Sequence, residues 1–139
     1  MKQILRHQNS YLLRFDKGED VMQELKNFCE EESVKAGSFT GIGATDELTI
    51  SIYDLEKNSY QDRELRGQKE VISFVGNISK FKDQTIVHAH GCFADETMQI
   101  IAGHVKKMVI SVTCELSLQV FPEKIERKIV EGTELKLLC

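Results

Sequence analysis

The chain has 139 residues, of which 41% are hydrophobic and 29% charged, with a net charge of −4. That length supports one packed core, and that balance excludes a disordered or fibrous chain. Eighteen Lys and Arg are scattered among twenty-two Asp and Glu, so DNA stays open as a partner but draws no support from charge.

No apolar run approaches the roughly 20 residues that a membrane helix needs. The opening Met1-Lys2-Gln3-Ile4-Leu5-Arg6-His7 lacks the apolar region of a signal peptide, so a cytoplasmic protein is expected. Cys29, Cys92, Cys114 and Cys139 form no Cys-x-x-Cys pair and are read as free thiols buried as small apolar side chains.

In chain order, Ser10 to Asp16 is the first predicted strand, and His7 before it is expected to be exposed near an untethered end. A helix follows over about 19–33. Val21, Met22, Leu25, Phe28 and Cys29 fall on one stripe at helical spacing, and Gln23, Glu24, Lys26, Asn27, Glu30 and Glu31 on the other face. Residues 36–44 form a short strand entering a glycine-rich turn. Gly41-Ile42-Gly43 lacks the third glycine of a dinucleotide fingerprint and is read as close backbone packing.

Leu48 to Asp54 alternates as a strand, Tyr60 to Leu65 is a more polar one near an edge, and Glu70 to Ser79 is another, where Gly76 marks a bulge or a close contact. Thr85 to Phe93 is the histidine strand. Asp95-Glu96-Thr97 makes a turn, and Met98 to Val105 returns. Lys106-Lys107-Met108 is read as a further turn before the longest alternation in the chain, Ile110 to Val120. After Pro122 the pattern is mixed, with room for a strand near 134–138. The sum is an α+β fold: a mainly antiparallel, partly barrel-like sheet of seven or eight strands with one principal helix.

Chemistry concentrates in the histidine strand. His88, His90 and Cys92 alternate onto one face. An antiparallel hairpin turning at 95–97 sets His104 opposite His88 on that same face. Three converging imidazoles suit zinc with one position left open. Cys92 is a candidate fourth ligand that would close the site; the alternative for Cys92 is a core thiol. The alternative for the histidines is a hydrogen-bonded cluster at a subunit contact. Glu115, on the polar face of the long strand, is a weak candidate for a general base or for a carboxylate that orients a histidine. Otherwise it is a solvated or interface glutamate. No catalytic residue is assigned beyond it. Asp95 and Glu96 are read as turn residues.

Thr40-Gly41-Ile42-Gly43-Ala44, Tyr53-Asp54, Gly76-Asn77-Ile78-Ser79, His88-Ala89-His90 and Ala102-Gly103-His104 occur in the order and spacing of the plants-and-prokaryotes-conserved (PPC) domain family, which the chain resembles from about residue 10 to 121. Ala102 stands where the family often has glycine. The resemblance implies one PPC-like domain over 1–139, a compact α+β fold and assembly as a homotrimer. Plant members add an AT-hook for A·T-rich DNA, which this sequence lacks. Prokaryotic stand-alone members are often labelled DNA-binding with their function unsettled. The fold is also similar to that of acetolactate decarboxylase, whose zinc is held by a His-x-His pair and a downstream histidine; His88, His90 and His104 match that pattern.

Three classes of function stay open: a regulatory or scaffold homotrimer associated with DNA, a zinc-dependent lyase-like enzyme acting on a small hydroxy-keto acid, and a small-molecule or metal sensor. Whether the protein is an enzyme is left undecided by the sequence.

Overall fold

Three strands run far beyond the five or six residues common in globular proteins. In the computed structural model, which describes residues 1–133 and 135–139, these are β3 (Gly37–Asp54), β4 (Ser59–Phe81) and β6 (Ile100–Val120). They are joined by β1 (Lys2–His7), β2 (Ser10–Asp16), β5 (Gln84–Ala94), short β7 (Arg127–Ile129) and β8 (Lys136–Leu138), and helix α1 (Val21–Glu31). All pairings between these strands are antiparallel, and an isolated parallel bridge joins Lys80 to Glu126. The main sheet runs β1-β2-β6-β3-β4-β5, and β5 also pairs with β6, so β3, β4, β5 and β6 close into a ring. β7 and β8 form a separate two-stranded ribbon. The expected α+β, partly barrel-like architecture is what the chain adopts.

The long strands exist because bulges replace two expected turns. Lys106-Lys107-Met108 does not turn. The register steps from Thr49↔Lys107 to Ile50↔Val105, leaving Lys106 as an extra residue within β6. The glycine-rich segment at the end of 36–44 likewise stays in strand and continues into Leu48, with register steps at Gly41/Gly43 and Thr45/Glu47. An extra residue kinks a strand and sharpens its twist, which lets so few strands wrap into a ring. A local hydrophobicity pattern cannot distinguish such a bulge from a turn, since both break the alternation.

Helix α1 is capped by Asp20, whose carboxylate accepts from the Met22 amide at 3.1 Å. Its buried stripe, Val21, Leu25, Phe28 and Cys29, packs on β5 and β6 and joins Leu13, Phe15, Phe74, Phe93, Met108 and Leu116 in the core. Burial pushes the Cys29 and Cys114 thiols up to about 12, so both behave as the apolar fillers expected of them, whereas Cys92 is half-buried and Cys139, at the end of the β7–β8 ribbon, is exposed.

The expectation of an untethered N-terminus is corrected: β1 pairs with β2 from Lys2↔Arg14 to His7↔Ser10, and the Met1 amine is paired with Glu19. All six residues of β1 are exposed, so no buried face imprints an alternation on its sequence. His7 is exposed, as expected.

Two glycines mark close approaches. A Cβ on Gly76 would lie 2.2 Å from the His88 carbonyl oxygen and 2.4 Å from the Phe39 ring, so Gly76 is the close contact that its sequence suggested. A Cβ on Gly43 would lie 2.2 Å from the Thr113 carbonyl oxygen, so the Gly41-Ile42-Gly43 segment is close strand packing.

Candidate metal centre

The β5–β6 connection decides which side chains meet. Asp95 accepts at one carboxylate oxygen from the amides of Thr97 (2.8 Å) and Gln99 (3.0 Å), and its own amide donates to the Gln99 carbonyl at 3.0 Å. The connection therefore extends to Gln99, and β6 begins at Ile100 rather than at Met98. The register becomes His90↔His104, Gly91↔Gly103 and Cys92↔Ala102. This corrects the expected pairing of His88 with His104 by two residues. A two-residue slip keeps every side chain on its face, whereas a one-residue slip would have sent His104 into the core. His88 instead faces Asn77 on β4, and His104 also faces Ser51 on β3.

The three imidazoles still converge. Ring centroids lie 5.2 Å apart for His88 and His90, 5.1 Å for His88 and His104, and 5.4 Å for His90 and His104. One donor atom of each falls within 4.8 Å of the others, and this is the one such metal-capable group among the described residues. His88 and His104 are half-buried and His90 is exposed. Cys92 is half-buried on the same strand face but does not belong to the cluster. Glu115 lies eleven residues along β6 from His104, paired with Ile42 and Arg14, and lines a different concavity with Ile72 and Val112.

The electrostatics favour neutral rings. Burial, reinforced by the neighbouring His88 and His90, pushes His104 down to about 4. Burial, and then the nearby Arg127 guanidinium, lower His88 as well. The Nδ1 atom of His104 is buried with no hydrogen-bond partner. An unsatisfied buried nitrogen costs about 1–3 kcal/mol, and a neutral imidazole with a free lone pair is the form that ligates a metal. The donor set thus fits a borderline-soft divalent ion.

Several neighbours carry no sequence signal of their own. Tyr60 lies with its ring 5.0 Å from that of His104 at 31°, and the Lys106 ammonium sits 5.0 Å from the centre of the Tyr60 ring. Asp62 accepts from Ser51 Oγ at 2.8 Å and from Lys106 Nζ at 2.6 Å. Arg127, on β7, is 8% exposed and donates to Ser79 Oγ (2.7 Å), Asn77 Oδ1 (2.7 Å) and the Lys136 carbonyl (2.6 Å). Tyr60 and Asp62 share one face of a strand, which marks them only as neighbours of each other. Arg127 falls in the mixed stretch after Pro122, where a single arginine has no informative spacing.

The Plants and Prokaryotes Conserved domain matches the chain over residues 3–122. The chain belongs to this family. Among solved structures, it is similar to a Bacteroides thetaiotaomicron protein provisionally named as DNA-binding, with 26% identity, 97% of this chain and 94% of the other covered, and a TM-score of 0.94. It is also similar to a PPC protein of Pyrococcus horikoshii, with 32% identity over 92% and 90% of the two chains and a TM-score of 0.84. A metal-containing protein of Archaeoglobus fulgidus shares 28% identity over 100% and 99% of the chains, with a TM-score of 0.86. Acetolactate decarboxylase from Bacillus subtilis shares the fold alone, at 14% identity and a TM-score of 0.57 over 79% of this chain and 52% of the enzyme. No curated protein matches the sequence. The family match ends at residue 122, so Arg127 and the β7–β8 ribbon lie beyond it.

Proposed function

We propose that this member of the Plants and Prokaryotes Conserved domain family is a cytoplasmic homotrimer whose His88, His90 and His104 hold a zinc ion and present it to a small oxygenated ligand. The observation that carries the reading is the set of three imidazoles whose donor atoms lie within 4.8 Å, one of them with an orphaned buried Nδ1. Zinc is chosen because neutral imidazoles suit it and because three protein ligands leave a position open. When bound, the ion supplies Lewis acidity to an oxygen of the ligand. The chain's own residues do the rest: Tyr60 packs against the His104 ring and fixes its plane, the turn made by Asp95 sets the register that aims His104, and half-burial keeps His88 and His104 unprotonated.

Homotrimer assembly draws support from an uncovered apolar face. Ile42, Ile72 and Val112 are 58%, 53% and 61% exposed and line one concavity with Glu115. Single exposed apolar residues are ordinary, but a contiguous set marks a contact surface. In this reading Glu115 is an interface glutamate. For localisation, no helix among the described residues is long and apolar enough to cross a membrane.

Metal analysis of purified protein tests the site. Close to one zinc per chain is expected, falling at least tenfold in His88→Ala and in His104→Ala. Zinc content indifferent to both substitutions rejects the reading. Turnover of a panel of small hydroxy-keto acids then separates enzyme from sensor.

A second reading, a DNA-associated regulator or scaffold, is favoured by the names of relatives such as the Bacteroides protein. The net charge of −4 opposes it. A mobility-shift titration at low salt, where non-specific binding is strongest, decides between them. Absence of any shift there removes direct DNA binding by the isolated chain.

A further inference from the structure

A cavity of about 270 Å³ opens beside the histidines, lined by Tyr60, His88 and His104 from the main sheet and by Arg127, Leu135, Lys136 and Leu137 from the segment after it. That wall is the β7–β8 ribbon, outside the family match. The ribbon is fastened to β4: the Lys80 amide donates to the Ile125 carbonyl at 2.8 Å, and Arg127 donates to Ser79 Oγ and Asn77 Oδ1, both at 2.7 Å.

Arg127 is the unusual member of that wall. It is more than nine-tenths buried, yet its three hydrogen-bond acceptors, Ser79 Oγ, Asn77 Oδ1 and the Lys136 carbonyl, are all uncharged. No carboxylate lies within salt-bridge distance of it among the described residues. A guanidinium has five N–H donors, so two remain after these three bonds. Burying a cation without a counter-ion is costly, and the penalty is relieved when an anion enters. The acceptors also lock the fork in one orientation, which is how an arginine is prepared to grip a carboxylate with two parallel bonds.

The size and lining of the cavity narrow the class of ligand. At about 30 Å³ per water, it holds the equivalent of about nine waters, which is room for a short molecule. Ile86, Val87, Leu135 and Leu137 offer an aliphatic surface, and Arg127, bonded to the Asn77 that pairs with His88, lines the cavity together with His88 and His104.

We propose that this cavity binds a short-chain aliphatic carboxylate bearing an oxygen on the adjacent carbon, with Arg127 anchoring the carboxylate and the α-oxygen directed toward the three-histidine site. The Arg127 contact stands by itself; only the second contact rests on the metal reading given above. The ribbon, which follows the matched residues 3–122, thereby supplies an anion anchor to the site.

The test uses calorimetric titration of the full chain, metal-free and zinc-loaded, with 2-oxobutyrate, with butyrate, which lacks the α-oxygen, and with 2-butanone, which lacks the carboxylate. Metal-free protein is expected to bind butyrate and 2-oxobutyrate about equally and 2-butanone at least tenfold more weakly. Zinc loading is expected to strengthen 2-oxobutyrate at least tenfold and butyrate much less. Arg127→Met removes the preference for carboxylates over 2-butanone, and Arg127→Lys restores part of it. An arginine serving only as a structural tie would lower thermal stability in Arg127→Met without changing that preference. Should Arg127→Met fail to fold, the wild-type ratio of butyrate to 2-butanone affinity decides: a ratio near one overturns the proposal. An unchanged preference in a folded Arg127→Met also overturns it. Carboxylate binding that depends on Arg127 but ignores zinc keeps the anchor and rejects the metal reading.

Discussion

His90 and His104 face each other directly across the β5–β6 ladder, while His88, two residues back along β5, reaches His104 diagonally. Directly opposed Cβ atoms lie about 4.5–5.5 Å apart and diagonal neighbours about 7–8 Å apart, still within reach of aromatic side chains. The two His–His104 ring separations, 5.4 and 5.1 Å, are nearly equal because the longer backbone offset is taken up by side-chain direction. The cluster thus needs all three positions on one face and tolerates either pairing.

The shared dependence on three imidazoles sets the first prediction. Replacing His90 by Ala should lower zinc content by at least tenfold, as for the other two, although His90 is the most exposed of the three. Metal analysis by mass spectrometry checks it, with the melting temperature as a control for folding. A fully loaded His90→Ala protein would mean that His88 and His104 suffice with another donor.

The depressed histidines make the metal-free protein sensitive to acid. Folded His104 takes its proton near pH 4, mainly because of burial, against 6.5 for the ordinary side chain. Between these values the unfolded chain holds more protons than the folded one, so stability falls as pH drops from 6.5 to 4 and no longer changes through this group below that. His88 acts in the same direction. Urea midpoints of metal-free wild type and His104→Gln, compared at pH 7, 5.5 and 4, should show the smaller acid loss in the variant. Parallel curves would rule the effect out.

Gly76 is predicted to be intolerant of any side chain. A Cβ there meets the His88 carbonyl oxygen and the Phe39 ring at 2.2 and 2.4 Å, and neither the strand backbone nor a buried ring can give way easily. Overpacking of this kind costs about 1–3 kcal/mol. Gly76→Ala should lose that much stability in denaturant unfolding and should also weaken zinc binding, since the displaced backbone is that of His88. Gly67, whose Cβ would meet nothing within 4 Å, is the contrasting position, limited by its φ of +89° alone.

The apolar concavity should control assembly. Ile42→Asp combined with Val112→Asp places charges on two strands of that face. By light scattering coupled to size exclusion, the wild-type mass should be three times that of the chain and the variant's mass that of one chain. A variant that keeps the wild-type mass would move the contact elsewhere.

Much of the architecture was legible because strand alternation is a local property. The single helix, the antiparallel sheet and the placement of His88 and His90 on one face follow from spacings of two and of three to four residues. The glycine-rich turn read at the end of 36–44 and the turn read at 106–108 were bulges, because an interrupted alternation looks the same whether the chain reverses or only kinks. β1 escaped notice because none of its residues is buried.

The sequence by itself determined that three histidines lie on strand segments close along the chain, with two of them on one face, because period-two geometry needs no partner to be known. Only the tertiary structure decided which histidine stands opposite His104, because the β5–β6 register depends on the hydrogen bonds of Asp95 in the connection. It alone also brought Tyr60 and Arg127 to the same cavity, 44 positions before and 23 after His104, through ring closure and the fastening of the β7–β8 ribbon to β4. Contacts across such separations leave no periodic trace, since nothing local fixes the spacing between residues that meet only when a sheet closes.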